Sequence, residues 1–85
     1  MYEILVLEDA EKDLADLDRV VARRIIRRIS WLAEHLDDTK HELLAGKLSG
    51  LFKLRVGDYR VIYRIIKSED TVVIHRVGHR REVYR

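Results

Sequence analysis

Cysteine and proline are both absent from the 85-residue chain, glycine occurs four times, and the aromatic fraction is 7%. Without cysteine there can be no disulfide framework, thiolate metal site or thiol nucleophile, which suits a reducing compartment. No apolar run approaches the ~20 residues that a membrane-spanning helix needs. The opening "MYEILVLEDAEKDL" meets acid at Glu3 and has no basic segment ahead of an apolar core, so it is not read as a secretory signal. A cytoplasmic protein with no membrane association is expected. No proline, repeat, linker or low-complexity segment divides the sequence, and one domain over residues 1–85 is expected.

Other absences bear on chemistry. There is no glycine-rich phosphate loop ahead of a helix. The histidines at 35, 41, 75 and 79 are scattered and lack metal-ligand spacing. The acids crowd into one half. Residues 1–46 hold 7 Lys/Arg against 11 Asp/Glu, whereas residues 47–85 hold 10 against 4. Two-carboxylate and metal mechanisms are therefore poorly supported, and no metal or cofactor is expected. What is present is an acidic N-terminal half and a basic C-terminal half. Such a basic half suits a polyanionic partner, although the two halves could also pair internally.

The apolar spacing divides the chain in the same place. "YEILVL" (2–7) reads as a strand. "EDAEKDLADL" (8–17) places Ala10, Leu14 and Leu17 at helical spacing, with acids in the first turn where the helix dipole favours them. Asp18 can cap a second helix, on which Val21, Ile25, Ile29, Leu32 and Leu36 form one apolar stripe. Arg19, Arg23, Arg24, Arg27 and Arg28 lie off that stripe and read as a solvated helix face. Residues 37–50 read as a connector with one helical turn at Glu42–Ala45.

The period then changes to two. "LFKLRV" (51–56), "YRVIYRII" (59–66) and "TVVIHRV" (71–77) are expected strands, separated by Gly57-Asp58 and by Ser68-Glu69-Asp70. The expected fold class is α+β, in the order β-α-α-β-β-β. A mainly antiparallel sheet carries two N-terminal helices on one face and a basic surface on the other.

The residues that remain for chemistry are Lys53, Arg55, Arg60, His79, Arg80, Arg81 and Tyr84. Cations gathered without carboxylates form a phosphate site in outline, because arginine's planar fork can hold two phosphate oxygens. His79 and Tyr84 add groups able to move a proton. A metal-free reaction that fits is attack of an RNA 2′-hydroxyl on the neighbouring phosphate. DNA lacks that hydroxyl and would be bound without being cut. Each residue also has a plainer reading. Arg60 and Arg64 could be exposed strand residues, Tyr59 and Tyr63 core aromatics, His75 a partly buried strand residue, and Arg80, Arg81 and Arg85 a solvated tail.

The order of motifs "EDAEKDLADLD", "RRIIRRISWLAEHL", "LAGKLSGLFKLRVGDYRVIYRI" and "VVIHRVGHRREVYR" closely resembles the RelE branch of the RelE/ParE toxin family, small toxins of type II toxin–antitoxin pairs. "GLFKLRVGDYRVIY" (50–63) and "VGHRREVY" (77–84) are the most specific pieces, and the likeness runs from Tyr2 to Arg85. It implies a microbial-RNase-like fold and cleavage of mRNA in the ribosomal A site, silenced by a cognate antitoxin, RelB-like or of another class. Operator DNA would be met only through that antitoxin. Carried over by position, Lys53 and Arg55 fall on the family's basic strand pair. Arg60 falls on the arginine of "DYR", Arg80 on that of the "VG-x-R" segment, and Tyr84 on the C-terminal tyrosine that stacks on or orients the substrate base. The resemblance leaves the general base open among Lys53, His79 and Tyr84, and Arg81 rivals Arg80. The alternative it carries is a ParE-type inhibitor of DNA gyrase without RNase activity.

Overall fold

Local signals place most elements where the chain puts them. The computed structural model describes residues 2–44 and 50–79. These form β1 (Glu3–Val6), α1 (Glu8–Asp16), α2 (Arg19–Glu34), β2 (Glu42–Leu43), β3 (Phe52–Val56), β4 (Tyr59–Ile66) and β5 (Thr71–His79). The Asp18 carboxylate accepts from the Val20 amide at 3.2 Å, satisfying one of the donors that a helix start leaves open. Along α2, Ile25, Ile29 and Leu32 are buried, and Leu36 continues the stripe into a short 3-10 turn, Leu36–Asp38.

The sheet order is β1-β5-β4-β3-β2. Strand β1 runs parallel to β5, and the other pairs are antiparallel. The helices cover one face. Ala10, Ile25, Ile29, Leu32 and Leu36 pack there against Leu54, Val56, Val61, Tyr63, Val72, Ile74 and Val77. Burying this apolar surface is the main favourable term of the fold.

The connector departs from expectation. Glu42–Leu43 is a strand, not part of a helical turn, and Ala45 lies outside the described residues. Glu42 pairs with Lys53 and Leu43 with Phe52, so ladder bonds and an opposite-charge pair from a distant segment override the local helical signal. The same connector is tied to the core through His41. The Tyr63 hydroxyl donates to His41 Nδ1 at 2.6 Å, and His41 Nε2–H donates to the Leu36 carbonyl at 2.9 Å. Burial pushes Tyr63 up to about 12, so its hydroxyl keeps its proton.

The two hairpin connections differ. Gly57 sits at φ 60° in the β3–β4 turn, a conformation that suits glycine at the first position of a two-residue loop. The β4–β5 connection is a 3-10 turn, Lys67–Glu69, closed by Asp70 at φ 48°. An aspartate tolerates that left-handed conformation better than most residues.

Candidate nucleic-acid interface

The tight Gly57-Asp58 turn pairs Val56 with Tyr59 and Arg55 with Arg60. Residues directly opposite one another share a face, and alternate residues return to it. Lys53, Arg55, Arg60, Ile62 and Arg64 therefore lie on the face that the helices leave uncovered. Arg60 is 7% exposed, and its Nη1 donates a long bond to the Tyr59 carbonyl at 3.4 Å. Among the described residues no carboxylate pairs with Arg55, Arg60 or Arg64. Two like charges directly across a ladder are destabilising, and a largely buried one is more so. A bound anion would relieve both costs. Opposite Arg60 stands Gly78, which has no side chain to fill the space beside the guanidinium.

Lys53 differs from its neighbours in being neutralised. Its Nζ lies 3.2 Å from Glu42 Oε1, on a glutamate whose side chain is 66% exposed. So exposed a bridge contributes at most about 1 kcal/mol, which a more highly charged anion can replace.

Other sequence-derived candidates fall elsewhere. His79 pairs with Tyr59, and their rings meet edge to face at 5.7 Å. The register puts this pair on the helix side of the sheet. There it lines a cleft of about 350 Å³ with Asp13, Asp16, Leu17, Val77 and Gly78. His79 thus adjoins Gly78 at the strand end but does not share the face of Arg55 and Arg60. Arg80, Arg81 and Tyr84 lie outside the described residues.

Asp13 fixes the end of β5 against α1. It accepts from Arg76 Nε at 2.8 Å, from Arg76 Nη2 at 3.2 Å and from the Val77 amide at 2.9 Å. Burial alone would raise this carboxyl, but the Arg76 and Val77 bonds outweigh it and hold the group below the usual carboxylate range. Arg76 is consequently a structural cation.

Two features of this region escaped the sequence reading. Gly78 carried a signal, since glycine inside a strand marks a bulge or a close approach. His75 carried none. Between the pairs Ile62–Arg76 and Tyr63–Ile74, β5 holds one extra residue, His75, in a β-bulge. Its Nε2 is buried with no hydrogen-bond partner, and burial followed by the charge of Arg64 lowers its pKa.

This lowering has a stability consequence. A neutral native His75 faces an unfolded chain that takes up a proton near its ordinary value of about 6.5. The unfolded state then binds more protons, so stability declines as pH falls through that value and on toward the lower native one. His75→Gln should make the urea midpoint fall less between pH 7.5 and pH 5.5 than it does in the parent chain. An equal fall in both proteins would assign the acid sensitivity to other groups. Asp13 acts in a separate window, losing its contribution only as pH falls through its depressed carboxyl value.

Among the described residues no helix is long and apolar enough to cross a membrane, and no three His, Cys, Asp or Glu side chains converge on a metal position. Two helices on one face of a mixed sheet, and unpaired guanidinium groups on the other, make a small α+β protein suited to meeting an anion.

Known proteins share this design. A family profile described as the ParE toxin of the type II toxin–antitoxin system, parDE, matches residues 4–84. Toxin RelG of Mycobacterium tuberculosis is 50% identical over 42 residues, a stretch spanning 49% of this chain and 48% of that protein. The toxin–antitoxin complex RelBE2 of the same organism contains a chain that superposes with TM-score 0.82 at 31% identity, covering 93% of this chain and 98% of that one. The isolated RelE toxin of E. coli has the same fold, with TM-score 0.78 at 23% identity over 99% of this chain and 92% of its own. The chain belongs to the RelE/ParE family of toxins from type II toxin–antitoxin systems.

Proposed function

We propose that this toxin is a ribosome-dependent endoribonuclease acting in the cytoplasm, with residues 1–85 forming one toxin domain. The observation carrying this reading is the Arg55–Arg60 pair, two cations directly opposed on the sheet face away from the helices, with no carboxylate paired to either among the described residues. In the proposed reaction the 2′-oxygen of an mRNA nucleotide attacks the adjacent phosphorus, and the bond to the 5′-oxygen breaks. The products are a 2′,3′-cyclic phosphate and a free 5′-hydroxyl, so no water or metal is consumed. Arg55, Arg60 and Arg80 hold the phosphoryl oxygens as charge builds on them. One of Lys53, His79 and Tyr84 takes the 2′-proton and another returns a proton to the leaving oxygen, while Tyr84 orients the base. His79 lies across the sheet from these arginines, so it takes part only where the RNA reaches around the β5 end beside Gly78.

A cognate antitoxin is the proposed silencing partner, and operator DNA is reached only through it. The RelB-containing complexes among the structural relatives support such a partner. Its acidic residues would meet the open cationic face, and its apolar residues the exposed sheet edge at Ile4 and Leu5.

The matched profile is that of a ParE toxin, which keeps gyrase inhibition as the second reading. Primer extension on ribosome-bound mRNA should reveal cuts at the A-site codon with cyclic phosphate ends. Intact mRNA together with gyrase-dependent DNA breaks would overturn the RNase reading in favour of the second.

A further inference from the structure

Helix α2 carries Arg19, Arg23, Arg24, Arg27 and Arg28 against a single acid, Glu34. Among the described residues none of the five forms an ion pair. Two are held by their neighbours. The Arg24 guanidinium lies over Gly57, where a Cβ would meet Nη2 at 2.7 Å. Arg28 sits 4.2 Å from the centre of the Trp31 ring. The others, Arg19, Arg23 and Arg27, recur every four residues and form an exposed stripe with a step of about 6 Å. Like charges at this spacing destabilise a helix, so the stripe is not there for the helix itself.

We propose that this stripe is a second nucleic-acid contact, binding the phosphate backbone of folded RNA on the side of the molecule opposite the cleavage face. The inference rests on the ribosome-dependent reading and identifies what the ribosome supplies. Three observations select a folded RNA over other partners. The Trp31 ring is occupied by Arg28 from one turn before it and by His35, stacked at 4.6 Å, from one turn after. Bases therefore gain no stacking platform there, and contact is left to phosphates. The exposed apolar residues Val20 and Ile26 lie about 120° apart around the helix with the arginines between them, so no continuous groove exists for a protein helix. Finally, α2 packs through Ile25, Ile29 and Leu32 onto the covered face of the sheet, so its stripe points away from Arg55 and Arg60. The shortest dimension of the molecule is 22 Å. Cationic surfaces on opposite sides are engaged together when RNA walls enclose the protein, as in a ribosomal cleft. Helix α1, with Glu8, Asp9, Glu11, Asp13 and Asp16 against Lys12, would be turned away from those walls.

The test compares Arg60→Ala protein, which keeps the RNA intact, with the same protein carrying Arg19→Gln, Arg23→Gln and Arg27→Gln. Affinity for 70S ribosomes is measured between 50 and 200 mM salt. Three lost phosphate contacts should flatten the dependence of log affinity on log salt by about 2 and weaken binding about tenfold or more. A triple Arg→Lys variant should retain most of the slope, which separates lost charge from lost fold. Unchanged slope and affinity in the glutamine variant would overturn the proposal. So would a loss confined to antitoxin binding, which would assign the stripe to an acidic protein. Failure of the enzyme reading looks different: stripe-dependent ribosome binding by the Arg60-containing parent, with no mRNA cut.

Discussion

Arg60→Ala is expected to lower single-turnover cleavage of ribosome-bound mRNA by about 10²–10³-fold, the loss that follows removal of one preorganised donor to developing charge. Ribosome affinity should change far less. Arg60 is 7% exposed, in a setting of reduced water where its attraction for a phosphoryl oxygen is strong. It is also held on a central strand, between Arg55 on β3 and Gly78 on β5. The same change removes a like charge from beside Arg55, so the unfolding midpoint should not drop in step with activity. Lys12→Ala on the acidic helix α1 serves as the charge control and should leave cleavage unaltered. Equal losses of ribosome binding and cleavage from Arg60→Ala would show that this arginine supplies only general attraction, and the assigned role would be wrong.

Ile25→Ala should cost about 2–5 kcal/mol of stability, the usual range for truncating a fully buried aliphatic side chain. Ile25 is 0% exposed at the centre of α2 and belongs to the cluster joining both helices to β3, β4 and β5. A chain of 85 residues has on the order of 4–13 kcal/mol in total, so the change removes a large share of it. Urea unfolding should show a lower midpoint with an unchanged slope, since the surface exposed on unfolding is nearly the same. A loss below about 1 kcal/mol would mean that the neighbouring helix closes over the cavity.

Features governed by near neighbours in sequence were legible. The α2 stripe from Val21 to Leu36 follows from the helical period, and the Asp18 cap from its position ahead of that stripe. The opposition of Arg55 to Arg60 follows from a two-residue turn at Gly57-Asp58, which leaves one hairpin register that keeps Leu54 and Val61 on the covered face. The family likeness rests on the same local order of motifs.

What the tertiary structure decided depends on segments far apart in the chain. Glu42–Leu43 became a strand because β3 offered a partner, and that pairing neutralised Lys53, which composition had grouped with the unpaired cations. The parallel placement of β1 beside β5 depends on where α1 and α2 return the chain. The bulge at His75 shifts the face of every residue beyond it by one place. It keeps Val77 in the core and sets His79 beside Tyr59, away from the arginine face. Periodicity is a property of neighbouring residues, whereas register, burial and charge pairing are properties of segments that meet only after folding. The sequence therefore determined which cations the sheet would carry, and the packed structure determined which of them were left without a counter-charge.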